Sequence, residues 1–145
     1  MKRKELNHHY FNEARKSYKE LYERSKSGLN FKNLKKLILR KDNFIVALRE
    51  LSYNAGRETP GLNGRTFSDI RYSYQYEEVL ERMGQISPQP SILRYIPKKL
   101  GGKRPIGIGN IEDGLIQQMI YNVLEPICEG KFLDTSFGYR REVSS

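Results

Sequence analysis

The sequence predicts an α+β fold that is mostly helical and carries one β-hairpin. Apolar residues recur at helical spacing in several segments, most regularly over residues 111–124. Residues 92–108 instead contain two short apolar runs separated by a turn rich in glycine and lysine, which is typical of a β-hairpin. With 145 residues, the chain is long enough for one compact domain with its own core.

Helical spacing accounts for the first third of the chain. Residues 6–24 carry a stripe of aromatic and aliphatic side chains, which predicts a first helix. This helix is predicted to end in the segment 25–28. A short second helix is predicted to begin at Leu34 and to break near Lys41. Asp42 follows in a position that suits the N-cap of a third helix.

The second half of the chain contains the loop, the hairpin and the most regular helix. Residues 54–64 include three glycines and one proline, so this loop must turn sharply. Thr66 and Asp69 have the spacing of a capping box for a helix that runs to about Met83 and carries Tyr72. After the hairpin, Asn110 is predicted to cap a last helix, which Pro126 closes.

The net charge of +9 lies entirely at one end of the chain. Residues 1–41 hold 13 Lys or Arg against 4 Glu, whereas residues 42–145 hold 13 basic and 13 acidic groups. This asymmetry indicates a polyanionic partner, and nucleic acid is favoured over a membrane surface because the basic segment lacks a continuous apolar face. We therefore predict a basic N-terminal helical arm (1–32) and a second unit (33–145), with a candidate hinge around residues 25–30.

The composition argues against several other classes of protein. No apolar run approaches the ~20 residues needed to cross a bilayer, and no hydrophobic signal segment is present at the N-terminus. We therefore expect a cytoplasmic protein without a membrane partner. The single cysteine, Cys128, excludes an internal disulfide and makes a cysteine-based metal site implausible. No catalytic residue and no metal site is predicted.

The turn of the predicted hairpin has the composition of a phosphate-binding device. Residues 89–110 contain five Lys or Arg and no acid. Glycines at the tip permit close approach of the backbone, while lysine and arginine neutralise phosphate charge. From these residues alone, an ordinary exposed hairpin with a solvated basic turn is the favoured interpretation, because basic turns are common.

Four short motifs follow one another within residues 33–140. They are Asn54-Ala55-Gly56 with Pro60-Gly61-Leu62-Asn63-Gly64; Pro88-Gln89-Pro90 before Ile96-Pro97-Lys98; Lys103-Arg104-Pro105-Ile106-Gly107-Ile108 with Ile111-Glu112-Asp113; and Leu124-Glu125-Pro126-Ile127 with Ser136-Phe137-Gly138-Tyr139-Arg140. In this order and spacing they resemble the N-terminal (fingers) portion of the group II intron-encoded reverse transcriptase and maturase family. The resemblance implies that the α+β fold is the mostly helical fingers subdomain of a right-hand polymerase.

The resemblance also implies roles for the hairpin. In this family, a lysine and an arginine spaced as Lys98 and Arg104 hold the triphosphate of the incoming nucleotide. Fixed cations suit this task because they stabilise the charge of a phosphoryl-transfer transition state without reorganising. Lys99 and Lys103 are expected to add supporting charge to nucleic-acid binding. Arg94 is displaced from the position where the family often carries a further arginine.

The loop and the arm are the other nucleic-acid-binding candidates. The loop corresponds to a template-covering loop in the family, and its candidates are Asn54, Gly56, Gly61 and Gly64. A tight connector between helices explains the glycines equally well, and Asn63 replaces the usual aspartate. In the arm, where the family binds intron RNA, the candidates are Arg15, Lys16 and Lys19. The aromatic rings between them could stack on bases or pack the arm onto the body.

The family's catalytic aspartates lie in palm motifs that these 145 residues do not contain. We therefore expect a fragment of a group II intron-type RNA-directed DNA polymerase and maturase that binds template RNA and a nucleotide triphosphate but is inactive alone. Mg²⁺ is expected only with the missing palm, which a separate palm and thumb chain could supply. The alternative is a stand-alone, non-catalytic RNA-binding module that serves intron splicing or acts as an RNA chaperone.

Overall fold

The computed structural model describes residues 3–70, 74–85, 88–133 and 135–136. In chain order, the elements are α1 (Arg3–Lys26), α2 (Leu34–Ile38), α3 (Lys41–Ser52), a 3₁₀ turn (Phe67–Asp69), α4 (Tyr74–Gln85), β1 (Ile92–Pro97), β2 (Lys103–Ile108) and α5 (Ile111–Glu129). The two strands form an antiparallel sheet. The described part is therefore α+β, as predicted. Tyr72 and residues 137–140 of the fourth motif lie outside it.

The core forms where α3 meets α5. Phe44 and Leu48 of α3 pack with Leu115 and Met119 of α5, and Val79 of α4 joins them. Residues 42–48 of α3 are all buried, so this helix is enclosed on every side over two turns. Among the described helices, none has the length and apolar character needed to cross a membrane.

A buried asparagine on α3 connects this core to the other helices. The side-chain amide of Asn43 donates hydrogen bonds to the carbonyl oxygens of Ile38 (2.8 Å) and Met119 (2.9 Å). Its Oδ1 accepts from the Tyr18 hydroxyl (2.7 Å) and from Nδ2 of Asn122 (3.1 Å). Both donors and both acceptor positions of the amide are thus satisfied. One side chain therefore links α1, α3 and α5 and the end of α2.

The sequence predicts Asp42 as the N-cap of the third helix, and this prediction is wrong. α3 begins at Lys41, and Arg40 holds the N-cap position in an extended conformation. Asp42 is buried inside the first turn, where its carboxylate accepts two hydrogen bonds from the Arg40 guanidinium (2.9 and 2.6 Å). Arg40 also donates to the Ser17 hydroxyl at 3.1 Å. An ion pair with Arg40, two residues earlier in the chain, therefore replaces the cap.

The capping box of Thr66 and Asp69 is present, but the long helix predicted to follow it is not. The backbone N–H and the hydroxyl of Thr66 donate to Oδ2 of Asp69 at 2.7 and 2.9 Å, which lowers the pKa of that carboxyl. This box closes only the 3₁₀ turn, because Ile70 is extended (φ −78°, ψ 114°). The helix resumes as α4, which begins at Tyr74.

The prediction that Pro126 closes the last helix is also wrong, since α5 continues to Glu129. Proline removes one helical donor, but contact with α1 holds the turn that follows. Ser25 is only 2% exposed and donates through its hydroxyl to the carbonyl oxygen of Ile127 at 2.5 Å. Gly130 lies so close that a Cβ there would be 2.7 Å from the Ser25 Cβ. The ends of α1 and α5 are therefore packed together.

The Asn43 bridge leads to a prediction about stability. Replacing Asn43 with Ala leaves a buried tyrosine hydroxyl, an amide and two carbonyls without their partner, so the free energy of unfolding should fall by about 2–4 kcal/mol. Urea denaturation followed by circular dichroism measures this change. Asn12→Ala, at an exposed position of α1, serves as the control and should stay near the parent. A similar stability for the two variants would contradict the bridging role.

Candidate nucleotide and nucleic-acid interface

The hairpin has a tip that only glycine accommodates easily. The N–H of Lys98 donates to the carbonyl oxygen of Gly102 at 3.0 Å, and the N–H of Gly101 donates to that of Lys98 at 3.2 Å. Gly101 and Gly102 have φ values of 92° and 80°, in the region that L-residues with side chains rarely adopt. The two glycines therefore shape the turn, and the predicted hairpin is confirmed.

The strand register sorts the basic side chains of the hairpin by face. Arg104 pairs with Ile96, whereas Lys103 pairs with Pro97. Because directly opposite residues share a face and successive residues alternate, Arg104 and Lys103 lie on opposite faces. Lys98 follows Pro97 and takes the next position on the face of Arg104. The two triphosphate candidates are thus brought to one face, and Lys103 is not.

Arg94 belongs to this same face, because it pairs with Ile106, two positions along the strand from Arg104. Arg94, Lys98 and Arg104 are all exposed, so their charged ends are open to solvent. The sequence alone indicates that Arg94 is displaced from the family's position and assigns it no role. Side chains two positions apart on a strand share a face, so the spacing of positions 94, 96 and 98 could have predicted that Arg94 lies on the same face as Lys98.

The 54–64 loop is seated on the start of α5. Gly61 is buried, and a Cβ at this position would lie 2.6 Å from the Asn110 Oδ1 and 2.7 Å from the Gly109 carbonyl oxygen. The same Oδ1 accepts a hydrogen bond from the N–H of Asn63 at 3.1 Å. Asn110 therefore occupies the N-cap of α5, as predicted, but its side chain holds the loop.

Charged groups beneath the loop complete this attachment. Asn63 donates through Nδ2 to Oε2 of Glu112 at 2.9 Å, and Arg65 lies 2.6 Å from the other oxygen of the same carboxylate. Glu112 is only 1% exposed, and Arg65 also reaches Glu78 at 3.4 Å. A buried carboxylate needs such partners because desolvation of a charge is costly. The sequence alone gives no sign of this role for Arg65 or Glu112.

The loop candidates differ in their surroundings. Asn54, Gly56 and Gly64 are exposed, and Gly64 has a φ of 72°. Gly61 is buried against the residues before α5, so close packing accounts for the absence of a side chain there. This favours the connector interpretation at Gly61. Nucleic-acid contact through the four candidates stays a prediction.

The basic candidates of α1 are exposed, whereas two of its aromatic side chains contact α3. Arg15, Lys16 and Lys19 of α1 are all exposed. Burial raises the pKa of Tyr18, whose hydroxyl binds the Asn43 amide. The guanidinium of Arg49 lies 4.4 Å from the centroid of the Phe11 ring. These contacts favour packing of the rings over stacking on bases.

Comparison with known proteins gives the family. The chain is 35% identical over 117 residues to "Group II intron-encoded protein LtrA" of Lactococcus lactis subsp. cremoris, and 31% identical over 121 residues to "Protein YkfC" of Escherichia coli K12. It is 32% identical over 127 residues to an uncharacterised 91 kDa protein in the cob intron of Schizosaccharomyces pombe. No family model matches the chain.

These alignments cover 79–81% of the chain but only 19% of LtrA, 32% of YkfC and 15% of the cob-intron protein. The chain is therefore a homologue of group II intron-encoded proteins, and it spans less than a third of the length of the relatives it matches. This finding confirms the predicted relationship to the group II intron reverse transcriptase and maturase family.

The seat of the loop can be tested with two glycine substitutions. Gly61→Ala drives a Cβ into the backbone of residues 109 and 110, so the free energy of unfolding should fall by about 1–3 kcal/mol. Gly56→Ala is the matched control, because its Cβ would meet no atom closer than 4.0 Å. Thermal unfolding of both variants measures the difference. Equal melting temperatures would mean that the loop is not seated on α5.

The contact between Asn63 and Glu112 can be tested by removing the amide. In Asn63→Ala, Oε2 of the buried Glu112 loses the hydrogen bond donated by Asn63 Nδ2, so the free energy of unfolding should fall by about 1–3 kcal/mol. Chemical denaturation measures this change, with Asn54→Ala at an exposed loop position as the control. Equal stability of the two variants would contradict the contact.

Proposed function

We propose that this chain forms the fingers part of a group II intron-type reverse transcriptase and maturase, where it binds RNA and the triphosphate of the incoming nucleotide. The observation that carries this proposal is the hairpin. Arg104 pairs with Ile96, and Lys98 continues the alternation of β1 where its N–H bonds to Gly102, so the two cations fit one face of a glycine-tipped hairpin. The homology to group II intron-encoded proteins supports the same assignment.

The three cations on this face bind phosphate oxygens in different ways. Arg104 and Arg94 carry planar guanidinium groups that can donate to two phosphate oxygens at once, whereas Lys98 acts as a compact point charge. Positions 94 and 104 are diagonal neighbours across the strand pair, and Lys98 lies nearer the tip. A row of this kind matches a chain of phosphates better than a single anion. We therefore include Arg94 with the two triphosphate-binding residues.

The 145 residues have a binding role in this proposal, not a catalytic one. Two-metal phosphoryl transfer uses carboxylates that are free to hold Mg²⁺. Asp42 is instead paired with Arg40, and Asp113 with Arg82 at 2.6 Å. Asp69 is engaged by Thr66 in the capping box. We assign the metal-binding aspartates to a palm, with which Mg²⁺ would be bound.

RNA is the second ligand of the proposal. The net charge of +9 resides in residues 1–41, and the exposed Arg15, Lys16 and Lys19 lie on α1 within that segment. Contacts of this kind bind phosphates and carry little sequence information. The exposed loop positions Asn54, Gly56 and Gly64 offer backbone groups for the same purpose, and Lys99 and Lys103 add charge at the hairpin tip.

The triphosphate site is tested by calorimetric titration of the chain with a deoxynucleoside triphosphate. The double variant Lys98→Ala/Arg104→Ala should weaken binding at least about tenfold, because two charge-assisted contacts are lost. Arg94→Ala should weaken it less, and Lys131→Ala, which removes an exposed charge elsewhere, should not. Because all the substituted residues are exposed, the unfolding free energy should stay within about 0.5 kcal/mol of the parent.

Two results would overturn the nucleotide part of the proposal. One is equal weakening by Lys98→Ala/Arg104→Ala and by Lys131→Ala, which would mean that the chain attracts triphosphate only through its net charge. The other is RNA binding without any triphosphate binding. That result would favour the stand-alone RNA-binding module, for which the exposed basic residues of α1 are the supporting observation.

A further inference from the structure

A groove lies between α2 and α4, and neither the hairpin nor the 54–64 loop contributes to it. Its volume is about 820 Å³. Basic side chains and a partly buried apolar surface line it; the basic ones are Lys35, Lys36 and Arg40, and the apolar surface consists of Leu39, Tyr76 and Leu80. Among the described residues that line it, none is acidic.

We propose that this groove binds a short single-stranded segment of RNA, with phosphates against the α2 lysines and a base against the apolar surface. The inference rests on the proposed function, because it names a second place where the RNA is held. It concerns residues that the four sequence motifs do not include.

The lysines supply the free charge of the groove. Lys35 and Lys36 are exposed, and within the described residues neither forms an ion pair. Arg40 is already paired with Asp42 at 2.6 Å, so it holds the rim in place more than it adds charge. Two adjacent unpaired cations fit a stretch of two or so phosphates, each of which sheds counterions on binding.

The apolar surface is fixed in position before any ligand arrives. The Tyr76 hydroxyl donates to the carbonyl oxygen of Leu39 at 2.9 Å, which joins the two sides of the groove. The Tyr76 ring meets Phe44 edge-on, with 5.2 Å between the ring centroids. A preorganised surface costs little further ordering when a planar ligand lies on it. The bases of a single strand can make such a contact, whereas the bases of a duplex are stacked on one another inside the helix.

Continuity with α1 favours RNA over an acidic protein helix. Arg40, on the rim, donates to the hydroxyl of Ser17, which stands between Lys16 and Lys19 in the exposed basic segment of α1. The groove therefore opens beside the cations already assigned to RNA. A polynucleotide can follow such an extended row of charge, because its own charge repeats along its length.

The chain contains no tryptophan, so a single introduced indole can report on the groove. We place it with Leu80→Trp and use Phe132→Trp, at an exposed position beyond α5, as the matched control. Both variants are titrated with a short oligouridylate, an RNA duplex and an acidic amphipathic peptide, while anisotropy of labelled oligouridylate reports binding to the whole chain. Oligouridylate should quench the fluorescence of Leu80→Trp and leave that of Phe132→Trp unchanged, and the duplex should quench neither variant.

A charge variant without any reporter gives an independent readout. Lys35→Ala/Lys36→Ala should weaken oligouridylate binding about tenfold and reduce the slope of log K against log salt by about 1.4, for two single-strand phosphates. Lys131→Ala removes one exposed charge beyond α5, away from the groove, and should change affinity less than about twofold. This comparison does not use the Leu80→Trp variant, so it tests the groove even where that substitution disturbs folding.

The outcomes separate the groove from the proposed function. Binding of oligouridylate without quenching of the Leu80→Trp variant, and with no greater loss of affinity in Lys35→Ala/Lys36→Ala than in Lys131→Ala, would overturn the groove and leave RNA binding by the chain intact. Quenching by the peptide alone would overturn it in favour of a protein partner. Absence of oligouridylate binding would overturn both the groove and the RNA part of the proposed function.

Discussion

Four hydrogen bonds to one buried amide hold the helices of this protein in register. Asn43 stands on α3 at the centre of the fold, and its partners come from α1, α5 and the end of α2. A buried amide without partners is costly, so each neighbouring helix must present its donor or acceptor at the correct depth. The surrounding apolar contacts of Phe44 and Met119 then add stability to an arrangement that the polar network specifies.

This network explains how the basic arm can serve a ligand while remaining part of the body. Tyr18 points into the structure to meet Asn43, and Ser25 closes onto the last turn of α5. With the aromatic and small residues of α1 facing inward, the lysines and arginines between them face outward. The same helix thus contributes to the core and displays charge.

The start of α5 is the second point on which the proposed function depends. Asn110 receives the 54–64 loop through Gly61 and Asn63, while β2 ends two residues earlier at Ile108. The loop and the hairpin therefore share one attachment, and their spacing is fixed by contacts of a few residues. At this attachment, the negative charge of the buried Glu112 is balanced by its ion pair with Arg65. In the proposed function, RNA and triphosphate would meet surfaces anchored at this common corner.

The sequence by itself determined the helical stripes, the hairpin with its paired glycines, the capping position of Asn110 and the family, because each is encoded by neighbours in the chain. It also determined Lys98 and Arg104 as the candidates. Tertiary structure decided the rest: the contact with α1 that holds Arg40 beside Asp42, the helix turn that continues past Pro126, and the burial of Gly61. The partners that set these features, Ser17 for Arg40, Ser25 for Ile127 and Asn110 for Gly61, lie far apart in sequence. Local spacing carries no record of such pairs, and packing alone brings them together.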